Sequence, residues 1–171
     1  MRNMLTVVLL TTMFTALGCA AQAQVTRDRL GRDVKLKILV DKVMQPEAGW
    51  TTEEWMVRET AEAGFNVYSP RHGYESLDAV RQVTEWCEQY GIYHQVWFRG
   101  TLGVTDTEAA QGRMLVWRNG AEQPLYSPNA DEFWDWTTRY VLQYAQISAQ
   151  NPHLIGVFLD YENYAAGPRM S

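Results

Sequence analysis

Four apolar runs, spaced by helix-length segments, constrain this chain more than any other feature. They are residues 34–43 (VKLKILVDKV), 65–68 (FNVY), 92–98 (IYHQVWF) and 154–159 (LIGVFL). The first begins alternating and becomes solidly apolar, as a buried strand does. No hairpin turn joins any of these four runs directly to the next. Parallel strands joined by helical crossovers are therefore the economical arrangement.

The intervening segments carry helix signals. Thr51 with Glu54 three residues later fits a capping box at a helix start. That helix would bury Trp55, Met56, Ala61 and Ala63, and Gly64 would end it in the left-handed conformation. Phe65 to Tyr68 is then a short strand stopped by Pro70. Ser76 can cap a second helix through Tyr90, with Leu77, Val80, Val83, Trp86 and Cys87 as its apolar set and Gly91 after it. After the third strand, residues 101–130 form an insertion. Within it, Met114 to Arg118 followed by Asn119-Gly120 reads as a hairpin with a tight turn. Residues 131–150 form a long helix, capped by Asn129 with Glu132 behind it, and Pro152 blocks its continuation.

Four strands and three helices in this order give an α/β fold of parallel βα units. Two architectures fit: the first half of a (β/α)8 barrel, or a small open parallel sheet. A whole barrel needs about 250 residues, and the chain has 171. No Gly-rich nucleotide loop follows any strand, which removes the usual signature of dinucleotide and P-loop folds. In either architecture the chemistry lies beyond the C-terminal strand ends. The first strand offers Asp41, Lys42 and Gln45 there. The second offers Ser69, Arg71 and His72, and the third Trp97, Arg99 and Thr101. The fourth offers Asp160, Tyr161, Glu162, Asn163 and Tyr164. His94, mid-strand, reads as a structural histidine, and His153 as part of a turn.

Asp160 and Glu162 directly continue an apolar run. Residues two apart on a strand point to the same face, so both carboxylates would share one cavity, with Phe158 behind them. Close carboxylates repel, and desolvation also raises a carboxyl pKa; either effect can leave one protonated near neutrality. A protonated carboxylic acid is what glycoside cleavage needs at the leaving oxygen. Glu162 is the expected general acid/base, with Asp160 orienting it. Arg71, His72, Trp97, Arg99, Tyr161 and Tyr164, with Trp117 in the insertion, are the expected substrate-binding residues.

These residues carry two family resemblances. Gly156-Val157-Phe158-Leu159-Asp160-Tyr161-Glu162 resembles the fourth-strand motif of family 18 chitinase-like hydrolases, which ends Asp-x-Glu. That family carries further acids where this chain has Ile155 and Phe158. Tyr126-Ser127-Pro128-Asn129, Glu132-Phe133-Trp134 and Asn151-Pro152-His153-Leu154-Ile155-Gly156-Val157 are similar to the third helix and fourth strand of clan A glycosidase barrels. There the strand ends in an acid/base Glu commonly preceded by Asn; here Tyr161 precedes Glu162. Both resemblances imply a glycosidase-type barrel with Glu162 as acid/base, over about Lys37 to Tyr164. Clan A enzymes place the nucleophile on the seventh strand, and this sequence stops soon after the fourth. The expectation is thus the front half of a longer enzyme, with a half-barrel dimer as the other route to a complete site.

The N-terminus reads as a secretory signal. Arg2 precedes an uncharged apolar stretch from Met4 to Leu17, and Ala21-Gln22-Ala23 is a small-x-small cleavage site. The stretch falls short of the ~20 residues of a membrane span. The domains expected are signal peptide 1–23, linker 24–33 and partial barrel 34–171, in a secreted or periplasmic protein. Leu17-Gly18-Cys19-Ala20 resembles a lipoprotein box, and lipidated Cys19 is the one route to a membrane. A net charge of −5 argues against nucleic acid as partner. After cleavage Cys87 is the remaining cysteine, which excludes an internal disulfide or cysteine metal cluster and reads as a buried structural thiol. Three scattered His make no zinc motif. No cofactor is expected, and a carbohydrate is the expected partner. Non-catalytic sugar binding, and a metal-dependent hydrolase using Asp41, Asp160 and Glu162, are the competing functions.

Overall fold

A computed structural model describes residues 30–32, 34–41 and 51–161. The leader, Cys19, Lys42, Gln45, Glu162, Asn163 and Tyr164 lie outside the described residues. Contacts divide the chain into units Met1–Val34 and Lys35–Ser171. In the first, Leu30 and Val34 form an isolated bridge around Gly31, whose φ is 80°. The second contains all the elements that follow.

Those elements are β1 (Ile38–Asp41), α1 (Glu54–Glu62), β2 (Val67–Pro70), α2 (Leu77–Gln89), β3 (Tyr93–Arg99), β4 (Met114–Val116), β5 (Glu122–Tyr126), α3 (Asp131–Gln150) and β6 (Leu154–Asp160). The principal sheet is parallel throughout, in the order β1-β2-β3-β6. Each new strand adds beside its predecessor, and neighbouring helices touch, α1 on α2 and α2 on α3. An open doubly wound sheet reverses its strand order at a switch point; this sheet does not. The winding is that of the first four βα units of a (β/α)8 barrel. No helix among the described residues is long and apolar enough to cross a membrane.

The helix layer covers one face of the sheet in two apolar clusters. Met56, Val57, Tyr68, Val83, Cys87 and Ile92 join α1, α2 and β2. Val80, Val96, Phe98, Tyr144, Ile147 and Leu154 join α2, α3, β3 and β6. Phe98 lies at the centre of an aromatic group, its ring 4.8 Å from Trp136, 5.2 Å from Tyr74 and 5.4 Å from Tyr140. Cys87 is fully buried, and desolvation pushes its thiol up to about 12. His94 is buried on this face against Thr84, as a structural histidine. His153 sits in the turn before β6, its Nδ1 2.7 Å from the Ile92 carbonyl.

Several boundaries differ from the sequence expectation for local reasons. β1 is shorter than residues 34–43, and its Ile38 and Val40 are exposed rather than buried, because β1 has one sheet neighbour among the described residues. α1 starts at Glu54 behind Glu53, with no side-chain cap. The expected box with Thr51 is lost because the Glu54 carboxylate accepts from the Tyr90 hydroxyl at 2.7 Å and from Gln89 Nε2 at 3.1 Å. The apolar face of α1 also shifts: Val57 and Thr60 are buried with Met56, while Ala63 is exposed. β2 includes Pro70 rather than stopping before it. Asn66, expected in that strand, instead clips the turn to the segment before β1: its Oδ1 accepts from the Lys37 amide at 2.6 Å and its Nδ2 donates to the Lys35 carbonyl.

α3 spans the expected residues, but Ala130 occupies the cap position and Asn129 does not cap. The Asn129 amide donates to Ser127 Oγ instead. Asp131 and Glu132 in the first turn oppose the helix dipole favourably. Ser76 does cap α2, accepting from the Ala79 amide at 3.2 Å. Gly64, Gly91 and Gly120 take positive φ at the expected turns.

Candidate functional site

β3 and β6 run in register to their C-terminal ends, pairing Trp97 with Phe158 and Arg99 with Asp160. Val96 and Phe98 face the helices. Alternation therefore puts Trp97, Arg99, Phe158 and Asp160 together on the opposite face. There the Trp97 indole donates to Asp160 Oδ2 at 2.8 Å, and its ring lies 5.8 Å from Phe158. The Gly100 amide donates to the Asp160 carbonyl at 3.0 Å. Trp97 is buried, so it clamps Asp160 rather than presenting an open stacking wall.

Tyr161, the next residue, goes the other way. Its ring packs edge-on against Phe133 and Trp134 of α3, with centroids 5.3 and 5.9 Å away. The Cδ1–Cε1 edge of its ring also approaches the backbone at the end of β3. A Cβ at Gly100 would meet Tyr161 Cδ1 at 2.5 Å and Cε1 at 2.6 Å. Glycine is required there so that the ring can reach the backbone. Gly100→Ala is expected to destabilise the protein by about 1–3 kcal/mol through overpacking, read as a lower denaturant midpoint. Adding Tyr161→Ala should recover part of that loss, because the two changes share one contact. An unchanged midpoint in the single variant would show that the contact is absent.

On β2, Ser69 is fully buried and its Oγ has no hydrogen-bond partner among the described residues; the same holds for Arg71 Nε. The sequence placed Ser69 at this strand end with Arg71 and His72, but not among the expected substrate-binding residues; its place two residues before Arg71 and two after Val67 puts all three on one face. His72 stands beside Arg71. Burial, and next the Arg71 charge, lower its pKa, so the imidazole is neutral at pH 7. Asp41, at the end of β1, accepts from the Tyr68 hydroxyl at 3.0 Å. Tyr68 belongs to the helix-side cluster, so Asp41 and Asp160 are held on different sides of the sheet.

Between β3 and α3 the insertion forms the antiparallel β4–β5 hairpin, which connectivity places at the C-terminal rim of the sheet. The loop leaving β3 pairs back onto β5 through Gly103–Leu125, and Arg113 ion-pairs with Glu132 at the start of α3. Trp117 lies at the hairpin turn, half-buried, donating to Gln123 Oε1 at 3.1 Å.

No protein-family model matches the chain, and no curated protein matches it. Among solved structures, it is similar to a β-galactosidase from Rahnella sp. R3, with 18% identity and a TM-score of 0.49, over 75% of this chain and 22% of that one. It is also similar to a polyextremophilic β-galactosidase from the Antarctic haloarchaeon Halorubrum lacusprofundi, with 18% identity and a TM-score of 0.48, over 77% and 21% of the two chains. The chain thus spans about a fifth of the length of these structures.

Of the expected site residues, the structure gathers Trp97, Arg99 and Asp160 at the ends of β3 and β6, with Arg71 and His72 at the end of β2. It sets Tyr161 against α3 and Trp117 on the hairpin. Among the described residues no three His, Cys, Asp or Glu side chains group to hold a metal ion. The chemistry available at the described strand ends is two fixed carboxylates, Asp160 and, on the helix side, Asp41, with two guanidinium groups and an imidazole.

Proposed function

We propose that this chain supplies the first four βα units of an exported glycosidase-type (β/α)8 barrel acting on poly- or oligosaccharide, with Glu162 as general acid/base. The observation that carries the reading is the clamp of Trp97 on Asp160 at the joined ends of β3 and β6. It anchors the backbone one residue before Tyr161 and two before Glu162. Continued strand alternation would bring Glu162 to the Asp160 side, where a leaving-group oxygen could be protonated. The outer sides of β1 and β6 are unpaired among the described residues, and Ile38, Val40, Phe158 and Leu159 on these strands are exposed. Such edges call for further strands, and a retaining or inverting mechanism calls for a second carboxylate from them. Residues 1–23 serve as the export signal, giving a secreted or periplasmic protein; lipidation at Cys19 is the alternative.

The test is binding and turnover of the full-length protein across neutral and acidic oligosaccharides, by calorimetry and reducing-sugar release. Binding with hydrolysis is expected. Binding without hydrolysis would leave a carbohydrate-binding protein, and no binding across the panel would sink the reading. The metal-dependent alternative is not retained, because Asp41 is engaged on the helix side with Tyr68 while Asp160 is held by Trp97 on the other.

A further inference from the structure

Two guanidinium groups, Arg71 and Arg99, stand at the C-terminal ends of β2 and β3, and among the described residues neither is in an ion pair. The ion pairs among the described residues are Arg58–Glu62, Arg81–Asp78 and Arg113–Glu132, and none involves Arg71 or Arg99. The described carboxylates nearest the strand ends are committed elsewhere, Asp41 to the Tyr68 hydroxyl and Asp160 to the Trp97 indole. Arg71 Nε and Ser69 Oγ are both shielded from solvent without a hydrogen-bond partner among the described residues. A buried polar group left unmatched destabilises the fold unless something else supplies the match. β2 and β3 pair in parallel, and Tyr68 and Phe98 face the helices, so alternation continued past Pro70 puts Arg71 and Arg99 on the opposite face at neighbouring strand ends; the Asp41 charge also reaches His72, from the helix side. A neutral sugar offers hydroxyls to the two guanidinium groups but leaves their charge uncompensated. A planar carboxylate matches a guanidinium fork with two parallel bonds.

We propose that the ends of β2 and β3 recognise an acidic saccharide, a uronic acid whose carboxylate is held by Arg71 and Arg99, with Ser69 beside it. This rests on the carbohydrate reading above and narrows it to a substrate class. Arg71 and Arg99 are binding residues here, and the reacting bond lies towards Asp160.

The test is titration calorimetry of the full-length protein with tri-galacturonate and tri-mannuronate against galactotriose and mannotriose. At least one uronate is expected to bind about 10–100-fold more tightly than its neutral counterpart, the range of a charge-assisted hydrogen bond. Raising the salt should erode that preference. Arg71→Gln and Arg99→Gln should each lower the uronate affinity by about 10-fold or more, and by more than they lower that of the neutral sugar. Arg71→Lys keeps the charge without the fork, so it should retain the fold and still lose most of the preference. Equal binding of matched acidic and neutral sugars, or equal loss of both in the variants, would overturn the uronate assignment while leaving a carbohydrate site. Failure of every sugar to bind would overturn both.

Discussion

Glu162→Gln is expected to lower hydrolysis of unactivated glycosides by about 10²–10⁴-fold, the usual contribution of a positioned general acid or base, with oligosaccharide affinity retained. Glutamine keeps the size and hydrogen-bonding shape of the side chain but has no proton to give. The loss should depend on the leaving group. A dinitrophenolate departs without protonation, so its glycoside should lose far less than a natural disaccharide does. That contrast separates a lost acid from a disrupted fold, which would slow both substrates alike. Asp160→Asn should act differently, because the Trp97 indole that Asp160 accepts from is itself buried. An amide can still accept there through its oxygen, so a smaller rate loss is expected. A Glu162→Gln protein that cleaves unactivated substrates within about twofold of the parent rate would remove Glu162 from the chemistry.

Much of the fold was legible because its signals are local. The strand-helix alternation, Ser76 as a cap and the glycines at 64, 91 and 120 depend on residues a few positions apart. The failures share a cause as well. Thr51 and Glu54 have capping-box spacing, but Tyr90 and Gln89, more than thirty residues away, take the Glu54 carboxylate. The run around Ile38 and Val40 looks like a buried strand because apolarity records what a strand is suited to pack against, not which neighbours it has in this chain. At the site, sequence position put Trp97, Arg99 and Asp160 at strand ends. It could not show that Trp97 bonds Asp160 across 63 residues, or that Gly100 is a glycine because Tyr161 rests on it. Pairwise contacts of this kind leave no trace in composition or periodicity.

The same helix-side packing makes the protein sensitive to mild acid. His94 is buried between β3 and α2, with its Nδ1 2.8 Å from Thr84 Oγ1. The Thr84 hydroxyl donates to the Val80 carbonyl at 2.7 Å, so its oxygen is left to accept and His94 Nδ1 carries the proton. Burial leaves no room for a second charge-bearing proton, and desolvation lowers the His94 pKa to about 3. An unfolded chain returns it to its ordinary value of 6.5. Above that pH both states are neutral and the stability is fully present. Below it the unfolded chain binds a proton that the folded chain refuses, so stability falls by about 1.4 kcal/mol per pH unit until the folded pKa is reached. Between pH 7 and pH 5 the loss is about 2 kcal/mol, a window in which most carboxylates have not yet titrated. His72, also shifted down, adds to the loss in the same direction, so His72→Gln is the control background. In that background, denaturant midpoints at pH 7 and pH 5 should differ clearly with His94 present. They should converge once His94→Gln removes the titrating group, even though that variant starts from a lower stability. Equal pH dependence with and without His94 would mean that the buried imidazole accepts its proton in the folded state, and that the core around Thr84 opens to water well before the protein unfolds.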